Sequence, residues 1–253
     1  MTPGAERDVR GYVKTGWQVW VILLVLLIRP GVVSAQEIKG EKDDMEPGQW
    51  TFRERLQPVP LNSGFKMEGY YIWGGSVIRV DSTYHMFASR WPKGRKFAKD
   101  YFEMSEIVRA TSDNPLGPYT FQEVVIGERD SSYWDSNMAH NPVVYKIGDT
   151  YVLYYIGRDY TTMRPDGRSV IRRIGYATAT NIEGPWHRSD EPVIDAESNN
   201  PALFVEQDGS VKLIYRNATL RIFMATAPSF RGPFTVKNEN VWPKAKLEDF
   251  YLF

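Results

Sequence analysis

The chain has no cysteine among its 253 residues. That excludes disulfide staples, a thiolate nucleophile and a lipobox, so stability must come from the core alone. An excess of either charge is missing too, since 31 Lys and Arg balance 31 Asp and Glu. No global field therefore draws nucleic acid or an anionic membrane, and neither is expected as a partner. No long amphipathic helix can be traced. The one strongly apolar run, 17–28, is short for a bilayer span and is stopped by Arg29. Aromatic residues, by contrast, are plentiful, with 15 Tyr, 12 Phe and 8 Trp. β-Rich folds use such residues in their cores, and exposed ones stack on sugar rings.

The N-terminus reads as a leader. Arg7, Arg10 and Lys14 precede the apolar run, and Val33-Ser34-Ala35 offers a small-residue cleavage site before Gln36. Residues 1–35 are thus expected to be a signal peptide and the mature protein to be secreted or periplasmic, free of the membrane once cleaved. Residues 36–60 are polar and proline-punctuated, a linker and lead-in.

From 61 to 253 the chain repeats itself. Asn141-Pro142-Val143-Val144-Tyr145, a turn at Gly148-Asp149, and Tyr151-Val152-Leu153-Tyr154-Tyr155 form the clearest unit. Gly75-Ser76-Val77-Ile78-Arg79 precedes it, aligned with Asn200-Pro201-Ala202-Leu203-Phe204 after it. Each unit adds a third strand and then a Gly-Pro-aromatic turn, at Gly117-Pro118-Tyr119, Gly184-Pro185-Trp186 and Gly232-Pro233-Phe234. Matched four-stranded units predict an all-β propeller. A fourth unit is expected to open at Asp249-Phe250-Tyr251, so the chain reads as a five-bladed propeller truncated early in blade four.

Antiparallel succession sorts the loops between two faces. The Gly-Asp hairpins and Gly-Pro-aromatic turns share one face and read as scaffold. The lead-ins to the first strands and the loops 90–106 and 158–173 share the other, the mouth. That mouth gathers the carboxylates Glu68, Asp135, Glu248 and Asp249, the imidazole of His140, and the carboxamides of Asn141 and Asn200. Trp73, Trp91 and Trp134 stand nearby, with Arg90, Arg158 and Arg172 among the loop cations. Glycosidic hydrolysis needs a protonated acid at the leaving oxygen and a carboxylate that activates water or attacks carbon. The mouth carries groups of both kinds. Asp249 or Asp135 is expected as base, Glu248 or Glu68 as acid or pKa modulator, and His140 as hydroxyl ligand or auxiliary acid. Trp73, Trp134, Asn141, Asn200, Arg90 and Arg158 are the expected substrate contacts. His85, mid-strand, reads as structural. No metal-ligating set is expected and no cofactor, with a central calcium ion left open.

The His-Asn-Pro and Asn-Asn-Pro lead-ins, the Gly-Asp-Thr-Tyr hairpin, the Gly-Pro-Trp turn and Glu248-Asp249 resemble the five-bladed propeller glycoside hydrolases around families 43 and 117. The resemblance covers roughly residues 65–253. It implies a glycosidase acting on plant or algal poly- or oligosaccharide. It also places the family 43 base at the first strand of blade one, where this chain has Gly74-Gly75. A glycoside phosphorylase and a non-catalytic carbohydrate-binding propeller are the alternative readings.

Overall fold

The computed structural model describes residues 56, 58–94, 97–164, 167, 169–244 and 246–252. The expected signal peptide and nearly all of the expected linker lie outside them. Among the described residues no helix is long and apolar enough to cross a membrane.

Among the described residues, twelve strands form three four-stranded antiparallel sheets. Sheet one comprises β1 (Tyr70–Val80), β2 (Thr83–Pro92), β3 (Glu106–Ser112) and β4 (Thr120–Ile126). Sheet two comprises β5 (Met138–Ile147), β6 (Thr150–Arg158), β7 (Arg173–Ala179) and the short β8 (His187–Arg188). Sheet three comprises β9 (Asn199–Val205), β10 (Val211–Arg216), β11 (Ile222–Ala227) and β12 (Thr235–Glu239). Each sheet is a meander in which neighbours in sequence are neighbours in space. The repeat inferred from sequence is thus three copies of one up-and-down unit.

The sheets stack face to face, and β6 shows why its sequence is apolar without alternation. Its odd positions Tyr151, Leu153 and Tyr155 pack with Phe87, Ile107 and Val144 toward sheet one. Its even positions Val152, Tyr154 and Ile156 pack with Leu203, Val211 and Leu213 toward sheet three. A middle sheet buried on both faces needs apolar side chains at both phases of its period of two. Backbone groups of the inner strands also bond across sheets. Val144 N–H donates to Ser76 Oγ at 3.1 Å, and Leu203 N–H to Tyr145 Oη at 2.7 Å. Such bonds fix the stagger of one sheet on the next, which apolar packing alone leaves free.

Every first strand breaks its ladder at the same place. The register slips between Trp73 and Ser76, between His140 and Val143, and in β9 around Asn200. At each slip one residue takes a left-handed conformation: Gly74 (φ 59°), Asn141 (φ 48°) and Asn200 (φ 51°). Asp249 does the same (φ 56°). Gly, Asn and Asp are the residue types that tolerate this region. The equivalent of Asn141 in unit one is therefore Gly74, one residue before the Gly75 of the sequence alignment. Residues 246–252 do not form the strand expected there, because no described segment pairs with them in a ladder.

One element was not expected. Between β2 and β3 lies a helix, α1 (Phe97–Met104), of 8 residues. A helix so short is held by packing rather than by propensity. Phe97 meets Tyr71, Trp73 and Trp91, with ring centroids 4.9, 5.9 and 5.3 Å away. Tyr101, one turn on, reaches inward.

Candidate active site

The left-handed bulges aim the inner rim at one place. A groove of about 430 Å3 runs along the first strands past Gly74, Asn141, Asn200 and Asp249. A deeper cavity of about 120 Å3 adjoins it through Asn141, Asn200 and Asp249. The cavity is lined by the aromatic side chains of Trp73, Trp91, Phe97 and Tyr101, by His140, and by Asn199, Arg172, Arg216 and Glu248.

His140 is buried, and its Nδ1 lies 2.8 Å from Ser105 Oγ. Its ring packs 4.9 Å from that of Tyr101 and 5.5 Å from that of Trp91. Burial, and then the positive charge of Arg172, push its pKa down to about 3. The imidazole is thus neutral near pH 7 and unsuited to give up a proton there. Of its two expected roles, hydrogen bonding to a hydroxyl is the one compatible with a neutral imidazole.

Both cavity arginines are paired. Arg172 donates to Glu197 Oε1 from Nη2 at 2.8 Å and from Nε at 3.2 Å. Arg216 meets Glu248 at 2.9 Å, with the glutamate side chain 52% exposed and the arginine 11%. Burial lowers the pKa of Arg216; Glu248 opposes the shift, and the like charge of Arg172 adds to it. Asn200 Nδ2 donates to Asp249 Oδ1 at 2.5 Å, orienting that carboxylate. Tyr101 is pushed up by burial, and Arg172 and Arg216 pull it back. Its phenol therefore stays protonated and available as an O–H donor.

Among the described residues, three buried polar atoms that belong to cavity-lining residues have no partner: Trp91 Nε1, Arg216 Nε and Asn141 Oδ1. An unmet buried donor or acceptor costs about 1–3 kcal/mol, so three around one small cavity mark it as a place for a polar ligand. Two are donors and one is an acceptor. A polyol, whose hydroxyls both donate and accept, suits that set.

Of the residues predicted from sequence, Glu248, Asp249, His140, Trp73, Asn141 and Asn200 come together here. The others lie elsewhere. Asp135 is fully buried, ion-paired with Arg129, 3.6 Å from Arg188 Nη1, and accepts from Tyr155 Oη at 2.6 Å. Trp134 stacks on Tyr155 at 5.5 Å and donates from Nε1 to Ser189 O. It also lies flat over Gly157, where a Cβ would meet its ring at 2.7 Å. These are packing roles. Arg90 is bonded to Glu106 at 2.7 Å and sandwiched between Tyr70 and Phe121. Glu68 is exposed in the turn before β1. Arg158 is half-buried outside the cavity wall, its pKa lowered by burial. His85 is buried, its Nδ1 3.1 Å from Arg109 Nη1. Among the described residues no group of three or more His, Asp and Glu is placed to hold a metal ion.

Sequence reasoning passed over Arg216, Glu197, Asn199, Ser105 and the aromatic pair Phe97 and Tyr101. Arg216 carried a usable signal: it ends the apolar run Val211-Lys212-Leu213-Ile214-Tyr215 on the mouth side. Tyr101 carried none, because its helix was not foreseen.

The arrangement has relatives of known structure. Over 69% of its length the chain superposes on Zg3597, a family 117 glycoside hydrolase of Zobellia galactanivorans, with a TM-score of 0.56 at 19% identity. The chain shares the fold of that structure. A second solved structure, named simply a glycoside hydrolase, aligns over 72% of the chain with a TM-score of 0.52 at 17% identity. In sequence, xylosidase/arabinosidase 43A of Humicola insolens is 29% identical over 118 residues, 46% of this chain. No family model matches the chain. The chain spans 58% of the length of the family 117 structure and 33% of that of the Humicola enzyme.

Proposed function

We propose that the chain is part of a secreted glycoside hydrolase that acts on plant or algal poly- or oligosaccharide, with the cavity beneath Trp73 as its sugar site. The observation that carries this reading is the juxtaposition, around one cavity, of two carboxylates, three unpartnered buried polar atoms and an aromatic wall. Aromatic faces stack on the C–H faces of sugars, and the polar atoms meet their hydroxyls. The glycosidase fold of the structural relatives and the sequence match to a xylosidase/arabinosidase support the same class of substrate.

In this reading Asp249, oriented by Asn200, is the base that activates water. Glu248, its neighbour on the rim and itself held by Arg216, is the acid that protonates the leaving oxygen or the pKa modulator. His140 is a neutral ligand for a sugar hydroxyl. Hydrolysis is preferred to phosphorolysis because both cavity arginines are paired with carboxylates, which weakens their hold on phosphate.

A second reading has one specific observation in its favour. The resemblance puts the base where Gly74 stands, and a Cβ on Gly74 would lie 2.9 Å from Asn141 Oδ1. No carboxylate side chain fits there without displacing Asn141, as suits a propeller that binds carbohydrate without cleaving it. Turnover of a panel of xylo-, arabino- and agaro-oligosaccharides by the purified protein separates the two. Release of reducing sugar supports the hydrolase, and calorimetric binding of a glycan that stays intact supports the binding module.

A further inference from the structure

The mouth of each sheet should differ only in its loops, yet among the described residues it is sheet one that sends a helix into the cavity. Helix α1 places Tyr101 against His140, and β2 ends in Trp91 beside both. The three rings form a closed triangle, with centroid distances of 4.9, 5.5 and 6.0 Å. Trp91 is 1% exposed, and its one side-chain polar atom, the indole N–H, has no partner among the described residues. His140 spends Nδ1 on Ser105, which leaves Nε2 as its remaining polar atom. Apolar packing alone would place Phe or Leu at these positions, since a buried indole N–H without an acceptor is a net loss.

We propose that Trp91 and Tyr101 are specificity-determining residues which, with His140, enclose a single hydroxyl of the bound sugar ring. This rests on the glycosidase reading of the cavity. The geometry suits one oxygen that accepts from the indole N–H and shares a second hydrogen bond with the imidazole or the phenol. A hydroxyl can accept and donate there, whereas an ether oxygen can only accept and a C–H can do neither well. The triangle therefore tests for the presence of that hydroxyl. A site built to bond a hydroxyl rejects the analogue that lacks it far more strongly than an apolar pocket rejects an extra methylene.

The test is calorimetric binding of methyl β-xylopyranoside, methyl α-arabinofuranoside and methyl β-galactopyranoside, each with its set of monodeoxy analogues. For the glycoside that binds, one deoxy position should weaken wild type by about tenfold or more. Tyr101→Phe, which removes one oxygen, and Trp91→Phe should each weaken the parent glycoside. In these variants the same deoxy analogue should bind nearly as well as its parent, the coupling expected of a shared contact. Unchanged parent affinity in Tyr101→Phe, or an equal loss for every analogue, would overturn the assignment. Circular dichroism melts check that each variant folds, and if Trp91→Phe does not, Tyr101→Phe carries the test. Turnover without any such coupling defeats this inference alone. If wild type neither binds nor cleaves any glycoside, the glycosidase reading falls and the inference falls with it.

Discussion

Replacing His140 by Gln should remove a pH dependence of stability that wild type possesses. The buried imidazole holds a pKa of about 3, whereas in the unfolded chain it titrates near 6.5. Between those values the unfolded state binds a proton that the folded state refuses, so stability is full above pH 6.5 and falls as pH drops. One proton contributes about 1.4 kcal/mol per pH unit. From pH 6.5 to 4.5 the loss is about 3 kcal/mol, equivalent to about 6–12 °C in Tm for a domain of this size. His85, also lowered by burial and by Arg109, adds to the slope in the same direction. It does so in wild type and variant alike, and so cancels in their difference. Thermal melts of wild type and His140→Gln at half-unit steps from pH 4.5 to 7.5 give that difference directly. The variant should start less stable and lose less on acidification, so the two curves converge toward low pH. Parallel curves, or a His140 resonance, assigned by its absence from His140→Gln, that titrates near 6.5 in the native protein, would refute the buried neutral histidine.

Two further perturbations separate scaffold from site. Gly74→Ala faces a left-handed backbone, at about 1–2 kcal/mol, and a Cβ 2.9 Å from Asn141 Oδ1. Gly74→Asn relieves only the first, so in thermal melts Asn should be less harmful than Ala, yet still below wild type. Equal stability of wild type and Gly74→Asn would show that the contact with Asn141 is loose. Asp135→Ala strips a buried carboxylate from Arg129, Arg188 and Tyr155. It should cost about 3–5 kcal/mol in chemical denaturation, while glycan affinity at low temperature stays unchanged; a selective loss of affinity would instead place Asp135 in the site.

The strands and hairpins were legible because their signals are local: apolar runs, Gly-Asp turns and Gly-Pro-aromatic corners recur at matched positions. The left-handed rim was legible where Asn141, Asn200 and Asp249 mark it. It slipped by one residue in unit one, where Gly74 and Gly75 leave no side chain to show which of them carries the bulge. Helix α1 was invisible because eight residues have little propensity of their own, and the aromatic neighbours that stabilise it come from β1 and β2. Asp135 looked catalytic and Arg90 substrate-binding because a carboxylate or a guanidinium in a loop carries no sign of its partner. Arg129, Arg188 and Glu106 meet them only after the sheets fold. Chemistry was thus readable as residue type and side of the propeller, whereas pairing was not.

The central claim is that Asp249 and Glu248 make this cavity a hydrolytic one. The most direct measurement is the rate of reducing-sugar release from the xylo-, arabino- and agaro-oligosaccharide panel by wild type, Asp249→Asn and Glu248→Gln, with folding checked by thermal melts. The account predicts turnover by wild type, a loss of about a hundredfold or more in Asp249→Asn as expected for a general base, and a shifted pH–rate profile in Glu248→Gln. Equal rates in wild type and Asp249→Asn would contradict it.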